Sequence, residues 1–189
     1  MNIAVVGLGF VGLSISSVLA SKNYNVVGID IDNQKCSDIR NGVLPLFEPD
    51  LENTLRVGLK KKLTISDNFS LIKNCDMIFV TVGTPQKSNG AIELSMIKKA
   101  TTTIGQIIRK SKKNPIIFIK STVIPGTAQN VILPILEKKS GKKADRGFGI
   151  ISNPEFLQES NAIRDTKYPH AIVLGGKQSK YMKKAKMFF

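Results

Sequence analysis

The first 30 residues constrain this chain more than any other stretch. Ile3-Ala4-Val5-Val6 is a short apolar run rich in β-branched residues, the pattern of a strand buried on both faces. Gly7-Leu8-Gly9-Phe10-Val11-Gly12 follows at once, and residues 13–22 read as a helix with Leu13, Ser16, Ser17 and Ala20 along one side. A second apolar run, Val26-Val27-Gly28-Ile29, ends in Asp30. Strand, G-x-G-x-x-G, helix, strand and acid stand in the order and spacing of a dinucleotide-binding βαβ unit.

Each position in that unit has a physical task. Gly7 permits the tight turn out of the strand, Gly9 leaves the backbone open to a pyrophosphate, and Gly12 lets the helix pack close to the strand. The helix N-terminus offers free N–H groups and a positive dipole end to the phosphates. The Asp30 carboxylate can accept hydrogen bonds from adenosine ribose hydroxyls and would repel a 2′-phosphate, which favours NAD over NADP. Lys35 and Arg40 are near enough to soften that preference. A lone glycine motif is weak, because glycines punctuate many loops. The strand before it, the helix after it and the acid beyond make it specific.

At 189 residues and 42% hydrophobic, the chain allows one domain with a real core. No apolar run approaches the ~18–20 residues of a membrane span, and no basic segment with a long apolar stretch opens the chain. Neither a span nor a signal peptide is expected. Cys36 and Cys75 fit no metal-ligand spacing, so no metal and a reducing, cytoplasmic setting are expected. The net charge of +14 comes from lysines scattered in short groups with few aromatics between them. That pattern reads as a solvated surface and not as a nucleic-acid site, although it would attract an anionic nucleotide substrate.

Beyond Asp30, apolar periodicity predicts helices over 34–41, 51–59, 95–109 and from the Pro125-Gly126-Thr127 turn to residue 138. Asp50 is read as the N-cap of the second of these, and Asp67 as the cap of a helical turn reaching residue 73. Strands are predicted at 63–65, 77–80, 116–119, 149–151 and 171–174, and a basic helical end at 178–189. Alternating strands and helices imply an α/β, Rossmann-like, doubly wound and mostly parallel sheet. Ligands in such sheets sit outside the carboxyl ends of the strands. Gly7 to Gly12, Asp30, the loop 81–85, Ser121-Thr122 and Asn153 to Glu159 all follow strands, so they are expected along one edge.

Asn153-Pro154-Glu155-Phe156-Leu157-Gln158-Glu159 carries two carboxylates four residues apart, one face of a helix if the segment is helical. They are either acids favoured by a helix N-terminus or a base that orders water at a reacting centre. With this stretch, the chain resembles the N-terminal, NAD-binding part of the UDP-glucose/GDP-mannose dehydrogenase family. The matching stretches are Gly7 to Gly12, Gly28-Ile29-Asp30-Ile31-Asp32, Pro45-Leu46-Phe47-Glu48-Pro49, Gly83-Thr84-Pro85, Lys120-Ser121-Thr122-Val123 with Pro125-Gly126-Thr127, and Asn153 to Leu157. They run in family order across nearly the whole chain.

The resemblance implies oxidation of the C6 alcohol of a nucleotide sugar to the carboxylate, with two equivalents of NAD. Carried over by position, it implies that Gly9, Phe10, Val11, Asp30, Lys35, Thr84, Ser121 and Glu159 contact NAD. Thr122 and Glu155 would lie near the reacting carbon, Glu155 assisting proton transfer and Thr122 acting through a water. Glu155, Phe156 and Leu157 would meet the substrate, a UDP-sugar. The Phe-Leu pair resembles the UDP-glucose type more than the UDP-N-acetylmannosamine type. Ser160-Asn161 and His170-Ala171 depart from the family pattern, and His170 is read as a structural residue at the start of a strand.

Members of the family are much longer. Their central helix, their substrate domain, their thiol nucleophile and a catalytic lysine are expected beyond residue 189. The whole chain is therefore read as one NAD-binding domain carrying half a site. It is expected to be inactive alone and to associate as a homo-oligomer or with a partner chain through an apolar patch near residues 170–189. Neither Cys36 nor Cys75 is expected to replace the nucleophile. An NAD-binding regulatory or split-enzyme module, a UDP-N-acetylmannosamine dehydrogenase fragment and a β-hydroxyacid-type dehydrogenase are the other readings, and nucleic-acid binding ranks last.

Overall fold

The computed structural model describes residues 1–177 and 179–189. In chain order the elements are β1 (Asn2–Val6), α1 (Phe10–Ser21), β2 (Asn25–Ile29), α2 (Asn33–Arg40), α3 (Leu51–Lys61) and β3 (Leu63–Ser66). A 3-10 helix (Phe69–Asn74), β4 (Met77–Val80), α4 (Ser95–Arg109) and β5 (Ile116–Ile119) follow. A π-helical turn (Ala128–Ile132) then runs into α5 (Leu133–Ser140), before β6 (Gly149–Ser152), α6 (Ala162–Lys167) and α7 (Lys180–Phe188).

The six strands form one sheet in the order β3-β2-β1-β4-β5-β6, and every pairing is parallel. The central strands are buried along their whole length, which is why they read as unbroken apolar runs. Ile3 and Val5 face α1, α3 and α7, while Ala4 and Val6 face the layer holding α4 and α5. Phe79 and Phe118 stack at 4.6 Å on the first of these faces. The chain leaves β1 towards β3 and then returns to β4 on its other side. That reversal opens a crevice at the carboxyl ends of β1 and β4, the place where doubly wound sheets take ligands.

Several local expectations are corrected. α1 starts at Phe10, not at residue 13, because Gly9 already accepts the Leu13 N–H at 2.9 Å. Asp50 is the N-cap residue of α3, as expected, but at φ 62° it caps through its carbonyl, which accepts the Thr54 N–H at 3.0 Å, and not through its side chain; Leu51 N–H bonds to the Glu48 carbonyl. Asn68, not Asp67, caps the 3-10 helix through Ser70 N–H. The expected strand at 171–174 does not form. Ser152 and Gly175 make one antiparallel bridge, and the Val173 carbonyl is taken by the Asn153 side chain and not by a ladder. His170 is thus exposed on a loop and does not open a strand.

Around residues 170–189, Ile172, Val173, Met187 and Phe189 are exposed, Phe189 while also lying edge-on to Phe79 and Phe118. Among the described residues, no helix is long and apolar enough to cross a membrane.

Candidate active site

The glycine loop sits at the β1/β4 crevice. Gly7 has φ +100°, which side chains rarely adopt, and a Cβ there would meet Val82 N at 2.9 Å. A Cβ on Gly12 would fall 1.8 Å from the Gly7 carbonyl oxygen, so this helix turn can pass the loop only as glycine. Gly9 differs from both: nothing lies within 4 Å of where its Cβ would be, because it faces the open cleft. Thr81 Oγ1 donates to the carbonyls of Gly7 at 2.7 Å and Val6 at 3.0 Å, locking the loop to the end of β4.

Asp30, almost fully buried, gathers three donors. Leu8 N–H reaches its Oδ2 at 2.7 Å, Lys35 Nζ reaches the same oxygen at 3.2 Å, and Asp32 N–H reaches Oδ1 at 3.1 Å. A carboxylate has about four acceptor positions, so Oδ1 keeps capacity for a ribose hydroxyl. The glycine cradle, the open α1 N-terminus and this acid fit a dinucleotide.

These groups wall a cleft of about 670 Å³. Gly7, Gly9, Phe10, Val11, Asp30 and Lys35 line it from one side. Thr84, Ser121, Thr122 and Glu155 line it from the other. Gly12 stands behind the loop as a packing residue. Two hydrogen bonds hold the loops after β4 and β5 together: Thr84 Oγ1 donates to the Thr122 carbonyl at 2.6 Å, and Ser121 Oγ to the Val82 carbonyl at 2.6 Å.

Residues 153–158 are irregular and not helical, so Glu155 and Glu159 do not share a helix face. Glu155 Oε2 accepts the Leu157 N–H at 2.6 Å, which bends the segment. Phe156 and Leu157 turn away from the cleft into a second cavity of about 480 Å³ beside α1 and Phe79. Glu159 lies in an exposed turn and the structure does not bring it to either cavity wall.

Both cysteines are buried. Burial pushes the Cys75 thiol up to about 11 and also raises that of Cys36. Cys36 lies beside the end of β2, with its Sγ–H pointing at the Asp30 carbonyl at 3.7 Å.

Two residues carry structure that the sequence did not announce. Glu48, buried, accepts Ser160 N–H at 3.0 Å and Ala162 N–H at 2.8 Å, and so caps α6 and fixes the end of the 153–161 segment. Its signals were an acid placed after the apolar run Leu44-Pro45-Leu46-Phe47 and its place in the matching stretch 45–49, neither of which named its partners. Lys120 follows four apolar strand residues and turns its ammonium inward to Asn153 Oδ1 at 3.1 Å.

Residues 1–189 match the family model described as UDP-glucose/GDP-mannose dehydrogenase family, NAD binding domain. The chain belongs to the UDP-glucose/GDP-mannose dehydrogenase family. As its NAD-binding domain, it takes NAD as cofactor. Over 177 residues it is 43% identical to a GDP-mannose 6-dehydrogenase of Pseudomonas syringae pv. tomato, covering 93% of this chain and 40% of that protein. It is 33% identical to the UDP-glucose 6-dehydrogenase AglM of Haloferax volcanii, over 93% of this chain and 41% of that one. The structure of a ternary complex of GDP-mannose dehydrogenase from Pseudomonas aeruginosa superposes with a TM-score of 0.95 at 36% identity, over 99% of this chain and 43% of that chain. The chain thus spans about 40% of the length of the curated relatives it matches. The nucleotide-sugar dehydrogenase family and the Rossmann-like fold expected from the sequence are both borne out.

Proposed function

We propose that this chain is the cofactor half of a nucleotide-sugar 6-dehydrogenase. The overall reaction converts the C6 alcohol, one water and two NAD⁺ into the carboxylate, two NADH and three protons. The observation that carries the reading is the position of Glu155, which borders both the NAD cleft and the second cavity. A carbon placed at that border lies between a hydride acceptor on one side and the Phe156-Leu157 wall on the other.

NAD supplies hydride acceptance. Gly7, Gly9, Phe10 and Val11 bind its phosphates and ribose, and Asp30, with Lys35, holds the adenosine ribose. Thr84 and Ser121 shape the nicotinamide end. Glu155 takes the proton as the alcohol is oxidised, and Thr122 orders the water consumed later. Phe156 and Leu157 bear on the sugar nucleotide. Glu159, outside the cleft in this conformation, is the one assigned contact the geometry does not support. Neither buried cysteine can serve as the nucleophile of the second oxidation, so residues 1–189 alone bind NAD without completing the reaction.

Two sugar nucleotides compete. The Phe156-Leu157 pair resembles the UDP-glucose type more than the UDP-N-acetylmannosamine type, which keeps UDP-glucose in play without setting it above GDP-mannose. The higher identity of relatives named GDP-mannose 6-dehydrogenase, 43% against 33%, favours GDP-mannose. NADH formation by the full-length protein with each substrate decides between them. Glu155→Gln is expected to lower kcat by about 10²-fold or more with NAD affinity retained. Failure of both substrates to yield NADH would overturn the reading.

A further inference from the structure

Among the described residues, Lys120 and Glu155 are the only two that line both the cofactor cleft and the second cavity. One is a cation and the other an anion, and among the described residues Lys120 forms no ion pair. Its ammonium instead meets Asn153, at 3.1 Å from Oδ1 and 3.5 Å from the carbonyl oxygen.

Asn153 is 1% exposed and fully engaged. Its own N–H donates to the Ile119 carbonyl at 2.9 Å, and its Nδ2 donates to the Val173 carbonyl at 2.9 Å. The end of β5, the end of β6 and the 171–175 segment therefore meet at one amide, and Lys120 supplies the charged donor to it. Glu155 is two residues beyond that amide.

We propose that Lys120 is a positioning residue of the dehydrogenase site: its ammonium fixes the Asn153–Glu155 turn against β5 and so sets where the Glu155 carboxylate stands between the two cavities. The role of Glu155 rests on the reading above; the clamp itself rests on hydrogen-bond geometry alone. A lysine suits this task because its point charge can be desolvated on a flexible stem and still donate to two acceptors. Burial pulls its pKa down to about 8, and the charge of Glu155 pulls it partly back up. Lys22, Tyr24, Asp165, Lys167 and His170 stand elsewhere on the wall of the second cavity, and Asp30, Lys35 and Lys99 on the wall of the cleft.

The experiment is amide and lysine Nζ NMR on the 189-residue chain between pH 6 and 10, without any cofactor. In the wild type, the Lys120 Nζ signal and the amides of residues 153–157 are expected to titrate together with a midpoint near 8. Glu155→Gln should move that midpoint down. Lys120→Met should abolish the amide titration and leave the 153–157 shifts near the wild-type high-pH values, with the β1–α1 amides unchanged. If the wild-type 153–157 amides do not follow the Lys120 signal, or if they titrate alike in Lys120→Met, the proposal is wrong. The wild-type titration stands even if Lys120→Met fails to fold. NAD affinity, measured separately, tests the cofactor reading and not this one.

Discussion

The Asp30 carboxylate accepts the Leu8 N–H at 2.7 Å, so the acid that ends β2 also holds the middle of the glycine loop. One side chain both shapes the glycine loop and lines the cleft. Asp30→Ala removes both roles and leaves a buried N–H without a partner, at a cost of about 1–3 kcal/mol. Asp30→Asn keeps an oxygen for Leu8 and discards the charge. Calorimetric titration is expected to show NAD affinity reduced about tenfold or more in Asp30→Ala. In Asp30→Asn, discrimination against NADP should shrink while thermal stability is retained. Unchanged NAD affinity in both variants would remove Asp30 from the cofactor site.

Two glycines three residues apart should respond in opposite ways to the same added methyl. Gly12→Ala places Cβ 1.8 Å from the Gly7 oxygen. That overlap forces the loop and helix apart at about 3 kcal/mol or more, roughly 6–12 °C in melting temperature for a chain of this size. Gly9 has an extended backbone, φ −78° and ψ −164°, and open space at its Cβ position. Gly9→Ala should melt like the wild type and bind NAD at least about tenfold more weakly, because the methyl occupies pyrophosphate space. Thermal melts paired with titrations check both, and a stable Gly12→Ala would contradict the packing described.

Glu48→Ala strips the acceptor from Ser160 and Ala162 N–H groups. A loss of about 2–4 kcal/mol is expected, since two donors lose their charged partner. Glu48→Gln keeps one acceptor and should fall between. Hydrogen exchange at Ser160 and Ala162 should accelerate in both variants ahead of any change in the central strands. Uniform acceleration across the sheet would mean that Glu48 supports the fold as a whole and not this segment.

Burial works against the Asp76 carboxylate, but the Asn2 N–H at 2.9 Å and the Lys113 ammonium at 2.6 Å outweigh it and hold its pKa below the usual range. A carboxylate depressed in the folded state adds stability that is full above its unfolded value near ~3.9 and fades as pH falls through the folded value. Asp76→Asn should therefore be less stable than the wild type at pH 7, and the gap should close in acid. The side chain is 34% exposed, so solvent screening keeps that gap below about 1 kcal/mol. Urea unfolding at pH 7 and pH 3 measures it; a gap that does not narrow contradicts the pairing.

Most of the sheet was legible because its strands are buried on both faces and read as bare apolar runs, as at Ile116-Ile117-Phe118-Ile119. The grouping of Gly7, Gly9 and Asp30 along one cleft was legible because these residues answer to local geometry. What was hidden depends on partners remote in sequence. Residues 171–174 look like a strand, yet Val173 gives its carbonyl to Asn153. α6 is too short to announce itself, and its cap comes from Glu48. Lys120 resembles any surface lysine until the ends of β5 and β6 are side by side.

The reach of Glu48 has a kinetic consequence. Its partners lie 112 and 114 residues further along the chain. At synthesis rates of about 5–20 residues per second, the carboxylate waits roughly 6–23 s on the ribosome before its second partner exists. β1, α1 and β2 can meanwhile close through contacts of short range. The glycine loop and Asp30 are therefore synthesised, and free to pack, before the partners that pin the end of the 153–161 segment exist.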